Sequence, residues 1–385
     1  MIGSYDNQPR QEGISHGDNV RHSCVLTALL IASAPCPAQT SVDLYGILDV
    51  GLRSLSGLGA NNTPVPAHHP ASTVSASSGV DNTSRWGIKG EESLGRGWKA
   101  LFRLEGGINA DTGAQAKGDR LFDRQAWAGL DSPYGTLALG RQANLISDAL
   151  LPVDPIGKRF AGFNPNINVA GLSNTRFGTH AFGTQYGPSG YADNFYRLDN
   201  TLKYTASIGP WQARAAYSFG EVADDAAASS SHGVALAYRR PDWVVSGATM
   251  RFRSRDGLPL DAWSVGAAVR LAAWQFKANV ARNRADTAVD KHVLQRVLSA
   301  GASRPVGRDL LVTAAWYSVR REATGLRDDG FDREFLYVEK TLAPRTTAYV
   351  EADYTTWRGD AAGLTASRAN DRHGAGLTLG LMQKF

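Results

Sequence analysis

The chain has 385 residues, is 43% hydrophobic and 20% charged, and contains no run of eighteen apolar residues, so a transmembrane helix is excluded. A transmembrane β-barrel is not excluded by that test, because its strands alternate lipid-facing and lumen-facing residues and read as only moderately apolar. The net charge of +5 is spread along the chain without a polybasic run, which does not point to a nucleic-acid partner.

Residues 25–34 form a short apolar run preceded by Arg21 and His22 and followed by Cys36-Pro37-Ala38. This is the layout of a secretory signal peptide cut near Ala38, so residues 1–38 are read as leader and 39–385 as the mature chain. The polar residues before Val20 fit no part of a signal, and translation is expected to begin near Val20, at a non-AUG codon. Cleavage removes both cysteines, Cys24 and Cys36, and leaves 39 basic and 33 acidic side chains, a charge of +6. The mature chain then has no disulfide and no cysteine-bound metal.

Strict alternation over about ten residues marks a barrel strand. In 42–53 one row holds Val42, Leu44, Gly46, Leu48, Val50 and Leu52, and the other holds Asp43, Tyr45, Ile47, Asp49, Gly51 and Arg53. Trp86 and Ile88 oppose Arg85, Lys89 and Glu91. Trp98, Ala100, Phe102 and Leu104 oppose Lys99, Arg103 and Glu105. Around Arg124 the two rows are mixed, and alternation alone does not orient that strand. The pattern returns at 211–219 and 263–271, and in the last segment His373, Ala375, Leu377, Leu379, Leu381 and Phe385 share a row.

Tight turns are predicted at 95–97, 131–135, 209–210, 240–242, 271–274, 304–308 and 342–345. Longer polar connections are predicted at 56–83, 109–120, 142–196, 220–232, 253–261, 283–291, 320–333 and 358–371. Seven short turns alternating with long loops give an all-β antiparallel barrel of about 16 strands, with short periplasmic turns and long external loops. The connection 142–196 is far longer than ordinary loops, as a functional insert would be. Chain ends normally fray, so the apolar row running to Phe385 calls for a partner, and pairing of the last strand with the first supplies one.

These residues resemble the Gram-negative porins, especially the trimeric porins of β-proteobacteria. The resemblance is carried by Val-Asp-Leu-Tyr-Gly (42–46), Ser-Arg-Trp-Gly-Ile-Lys-Gly-Glu-Glu-Ser-Leu-Gly (84–95), Asp-Arg-Gln-Ala-Trp-Ala-Gly-Leu (123–130), Gly-Thr-Leu-Ala-Leu-Gly-Arg-Gln (135–142), Tyr-Arg-Leu-Asp-Asn-Thr-Leu-Lys-Tyr (196–204) and the final Gln-Lys-Phe. It implies a sixteen-stranded barrel in a homotrimer in the Gram-negative outer membrane, embedded in its lipids, passing small hydrophilic solutes and ions. It also implies a third loop folded into the lumen, and a terminal Phe385 read by the barrel-assembly machinery.

Matched by motif, the basic wall of the constriction would hold Arg85, Arg124 and Arg197. Placing Arg124 in the lumen would also orient its strand. Lys89 and Arg103 share the parity of Arg85 and would join that wall. Ile47 stands where enteric porins carry a lysine, and Asp49 would add negative charge there. The acidic side would fall to Asp148 and Asp154. The usual Pro-Glu-Phe of the loop is absent; Pro155-Ile156-Gly157 is followed by Lys158 and Arg159. Arginines at a constriction concentrate anions and repel cations, and with the +6 charge this predicts weak anion selectivity.

No catalytic arrangement is visible. The mature histidines lie almost all in predicted loops, no serine-histidine constellation is apparent, and no phosphate-binding glycine loop opens a helix. His68-His69 lacks the further ligands a metal site needs, so no metal, cofactor or enzymatic activity is expected. Two other readings of the same fold remain: a substrate-selective channel, which needs a lumenal row of aromatics or a dedicated pocket, and a surface-loop adhesin.

Overall fold

The computed structural model describes residues 40–58, 72–118, 120–160, 197–254, 257–288, 290–323, 329–359 and 372–385. The expected leader, the His68-His69 pair and residues 161–196 of the long connection lie outside the described residues. One antiparallel sheet contains every named strand. Its strands are β1 (Thr40–Ser56), β2 (Ser72–Ser78), β3 (Arg85–Gly95), β4 (Trp98–Gly107), β5 (Gln125–Ser132), β6 (Gly135–Ala143), β7 (Arg197–Ile208), β8 (Trp211–Ser218), β9 (Ser231–Arg239), β10 (Trp243–Arg253), β11 (Pro259–Leu271), β12 (Trp274–Ala288), β13 (Lys291–Val306), β14 (Leu310–Ala323), β15 (Asp329–Ala343), β16 (Thr346–Gly359) and β17 (His373–Lys384). Among the described residues one short helix, α1 (Leu145–Leu150), follows β6.

The sheet closes on itself. β1 pairs with β17 from Ile47 opposite Lys384 to Ser56 opposite Ala375. Gly46 and Phe385 exchange backbone hydrogen bonds of 3.1 and 3.2 Å beyond that ladder, so the last residue is held rather than frayed. Seventeen strands fill sixteen positions around the ring. The outer half of β1 pairs with β2 (Val50 opposite Ser78) and the other half with β3 (Ile47 opposite Arg85). β2 and β3 are one strand interrupted at residues 79–84, and β2 lies within the connection predicted at 56–83. Closure satisfies the backbone groups that lipid cannot.

The side-chain distribution is the reverse of a soluble protein's. Val42, Leu44, Leu52, Trp98, Phe102, Leu379 and Leu381 are all exposed on the outer surface, while the buried face holds Asp49, Arg53, Glu105, Arg333 and Glu351. The rows read from the sequence for β1, β3, β4, β8, β11 and β17 fall on these two faces. Aromatic side chains collect at the short-turn end. Trp211 packs edge-on to Tyr238 at 4.6 Å, and Tyr238 stacks on Trp243 at 5.1 Å, as in an interfacial girdle.

Two expectations are corrected. Leu130 is exposed to lipid and Trp127 shares the inner row with Gln125 and Gly129, since Ala126 stands opposite outward-facing Leu104. The β5 strand therefore has the orientation opposite to the one that a lumenal Arg124 implied by parity. Arg124 still reaches inward because it precedes the first strand residue and is free of the alternation. The long connections at 253–261, 283–291 and 320–333 are also shorter than expected, because β11 to β15 run on past the apolar band. There the outward residues are charged and pair across strands, as Arg251 does with Asp261 at 2.6 Å and Arg296 with Glu322. Cross-strand ion pairs let a strand continue where lipid no longer demands apolar residues.

Candidate pore constriction

Two strands and the segment entering β5 place cations around one acid. Glu105 sits on the inner face of β4 with its side chain 5% exposed. Arg124 Nε donates to its Oε1 at 2.7 Å. Arg103 and Arg85 bring guanidinium nitrogens to 3.7 and 3.9 Å of Oε2, and the Tyr45 hydroxyl donates to the same oxygen at 2.9 Å. Arg103 also donates to the Tyr45 hydroxyl at 2.7 Å and lies over its ring at 4.9 Å. Lys89, more exposed, stands 3.6 Å from Asp43. The register explains the convergence: Lys89 lies opposite Arg103, and Arg85 opposite Gly107, so the inner rows of β3 and β4 bring their cations to neighbouring positions.

A second cluster adjoins β6. Arg141 donates to Asp199 at 2.6 Å and to the Asp123 carbonyl at 2.5 Å. Arg120 donates to both oxygens of Asp199, at 3.0 and 2.8 Å. Arg197 begins β7 opposite Ala143, two residues before Asp199. Arg85, Arg103, Arg120, Arg124 and Arg141 thus meet Glu105, Asp123 and Asp199, and the wall from β3 to β7 keeps a positive excess. Glu105, Arg120, Arg141, Asp123 and Asp199 are participants that the sequence did not single out. Parity had put Glu105 inside, but only the register shows three arginines turned toward it.

The connection after β6 folds inward and lines the opposite wall. Asn144 caps α1, its side chain accepting from Ser147 N at 2.7 Å. Leu145, Ile146, Ala149 and Leu150 of α1 pack on the inner faces of β8 to β13, where Ala216, Ala235, Ala248 and Ala262 leave room for a helix. Beyond α1 the chain runs on along the wall. Ile156 and Phe160 join Tyr317, Phe335 and Tyr337 of β14 and β15. Phe160 N then donates to the Asp81 carbonyl in the break between β2 and β3, at 2.8 Å.

Asp148 and Asp154, the acids of the described part of this loop, are turned to the wall that carries it. Asp148 is bound by Lys203 at 2.8 Å. Asp154 accepts the Tyr317 hydroxyl at 2.9 and 3.0 Å and Lys158 N at 2.7 Å. Burial pushes its carboxyl above the usual range, against those hydrogen bonds. Arg159 pairs with Glu339 at 2.5 Å and Asp81 at 3.4 Å; burial opposes its charge, but these two carboxylates hold it more firmly protonated than usual. Asp49, fully buried, does not stand in the lumen as an isolated charge. It accepts Tyr349 Oη at 2.7 Å and Asn82 N at 2.5 Å, anchoring the 79–84 break to β16.

Paired arginines thus wall one side of the lumen, and the described part of the loop lines the other. The family model described as Gram-negative porin matches residues 25–360 of the chain. The chain belongs to the Gram-negative porin family. It is similar to an outer membrane porin protein of Bordetella pertussis, 36% identical over 223 residues, covering 55% of this chain and 52% of the relative. It is also similar to outer membrane porin protein 32 of Delftia acidovorans, 32% identical over 203 residues, covering 52% and 50%. The chain thus spans about half the length of these relatives. A solved structure titled as an anion-selective porin from Comamonas acidovorans matches 90% of this porin and 100% of its own chain, with a TM-score of 0.73 and 22% identity, a likeness of fold.

Proposed function

We propose that this porin is an outer-membrane channel for passive diffusion of small hydrophilic solutes and ions, with a preference for anions, and that it works as a homotrimer. The observation that carries the reading is the asymmetry of the lumen. Five arginines on β3, β4, β6 and the segment before β5 outnumber their acids, while Asp148 and Asp154 of the facing loop are engaged with Lys203 and Tyr317. A water-filled passage with fixed positive charge raises the local concentration of anions and lowers that of cations. Guanidinium stays charged at every relevant pH, and its fork is held in place by the carboxylates beside it. The described similarity to an anion-selective porin supports the same sign of selectivity.

Arg85, Arg103 and Arg124 form the basic side of the constriction in this reading, with Lys89 and Arg197 at its margins and Glu105 as the group that fixes them. Phe385 serves as the assembly signal, its backbone closing the ring against Gly46. The test is the zero-current potential of purified protein in a planar bilayer under a potassium chloride gradient. Wild type should favour chloride, and Arg85→Glu should move the potential toward potassium. A clear potassium preference in wild type overturns the proposed selectivity, and absence of conductance overturns the channel.

A further inference from the structure

Between the inward loop and the short-turn rim lies a recess of about 420 Å³, away from the arginine wall. Its upper side is formed by Pro155, Ile156 and Gly157, and its lower side by the turn joining β11 to β12 and by the end of β13. Three cations line it: Arg159 from the loop, Arg270 from β11 and Lys277 from β12. Their roles differ. Arg159 is already matched by Asp81 and Glu339. Neither the Arg270 nor the Lys277 side chain makes a hydrogen bond or ion pair among the described residues. Asp154 offsets part of the Lys277 charge, but its carboxylate is turned onto Tyr317.

The remaining polar lining consists of neutral groups able to donate. Gln275 contributes an amide, and Ser303 and Thr313 contribute hydroxyls that already touch each other at 3.0 Å. No carboxylate lines the recess. Two uncommitted cations and a set of neutral donors, on a half-enclosed surface, are the chemistry that binds oxyanions. The volume exceeds what a single chloride occupies and suits a compound with more than one anionic group.

We propose that this recess is a second anion site, on the periplasmic side of the loop, that holds small multivalent oxyanions bearing phosphoryl or carboxylate groups. The proposal rests on the channel reading, which gives such solutes access and places the short turns in the periplasm. A solute passing the arginine wall would be received here before release, and one entering from the periplasm would be concentrated here first.

The test is calorimetric titration of pyrophosphate into the full-length protein in a neutral detergent at low ionic strength. Lys277→Gln and Arg270→Gln should each weaken binding about tenfold, and Lys277→Arg should restore most of it. Lys340→Gln, which removes an outward-facing cation, should leave the affinity as in wild type. Heat-modifiable electrophoretic mobility identifies preparations in which the barrel is folded. The proposal fails if folded wild type binds no pyrophosphate, or if the two lumenal variants bind as wild type does. Conductance in potassium chloride, measured on the same wild-type preparation, is a separate readout. If conductance is absent but pyrophosphate binds through Lys277, the channel reading falls while the site stands. If conductance is present and binding is absent, the reverse holds.

Discussion

Replacing Glu105 by Gln tests how far one buried acid restrains the selectivity of the lumen. In the wild-type cluster Arg85, Arg103 and Arg124 face this single carboxylate, a local excess of two positive charges that the variant raises to three. Gln keeps an oxygen for Arg124, which donates at 2.7 Å, so the cluster should retain its shape. An ion about 7 Å from the removed charge in water feels a change of about 0.6 kcal/mol, which a Debye length of about 10 Å at 0.1 M salt halves to about 0.3 kcal/mol. That favours a chloride ion about 1.6-fold and disfavours a potassium ion by the same factor, so the chloride-to-potassium permeability ratio should rise about threefold. The assay is the zero-current potential across a bilayer at 0.1 M mean salt, repeated at 1 M, where screening should erase most of the difference. An unchanged ratio at low salt, or a shift toward potassium, would show that the Glu105 cluster does not border the ion path.

Further outcomes are expected elsewhere. Arg53 is buried between Glu351 at 2.8 Å and Asp353 at 2.6 Å, so Arg53→Ala removes the cation bonded to both buried carboxylates and should destabilise the barrel by about 3–5 kcal/mol in urea unfolding followed by tryptophan fluorescence; a loss below 1 kcal/mol would refute that account. A side chain at Gly46 would meet the Phe385 ring and the Arg85 carbonyl, so Gly46→Val should slow barrel closure, read as delayed appearance of the heat-modifiable form. Burial raises the Asp154 carboxyl above its ordinary range; a raised carboxyl lends relative stability at low pH and loses it as pH rises through the unfolded and then the folded value. Asp154→Asn should therefore reduce the gain in thermal stability of the wild type on going from neutral pH to about pH 4, and an unchanged difference would rule out this contribution. Tyr317→Phe removes the donor to that carboxylate and should increase spontaneous closures in single-channel recordings at neutral pH, since the loop loses a seat on β14.

Much of the fold was legible because a barrel strand writes its two environments directly into alternate residues. Val42 to Leu52 and His373 to Leu381 needed no neighbour to be oriented. The turns were legible for a related reason, as short Gly-, Pro- and Asp-rich breaks between alternating runs. What was not legible depended on register or on contacts distant in sequence. The interruption at 79–84 is stabilised by Asp49 and Ser84 on either side of the β1 edge, a contact no local pattern announces. The convergence on Glu105 required knowing that β3 and β4 pair with Lys89 opposite Arg103. The orientation of β5 failed because Arg124, from which it was inferred, lies one residue outside the strand. Asp154 was expected on the acidic side of the constriction, but Tyr317, 163 residues away, decides where it faces.

The break between β2 and β3 also joins parts of the chain far apart in sequence. Through Asp49 it is tied to Tyr349 of β16, and through Asp81 to Phe160 of the inward loop. Residues 79–84 therefore link the first strand, the penultimate strand and the inward loop, so a substitution that displaces this short break should be felt on both sides of the lumen at once.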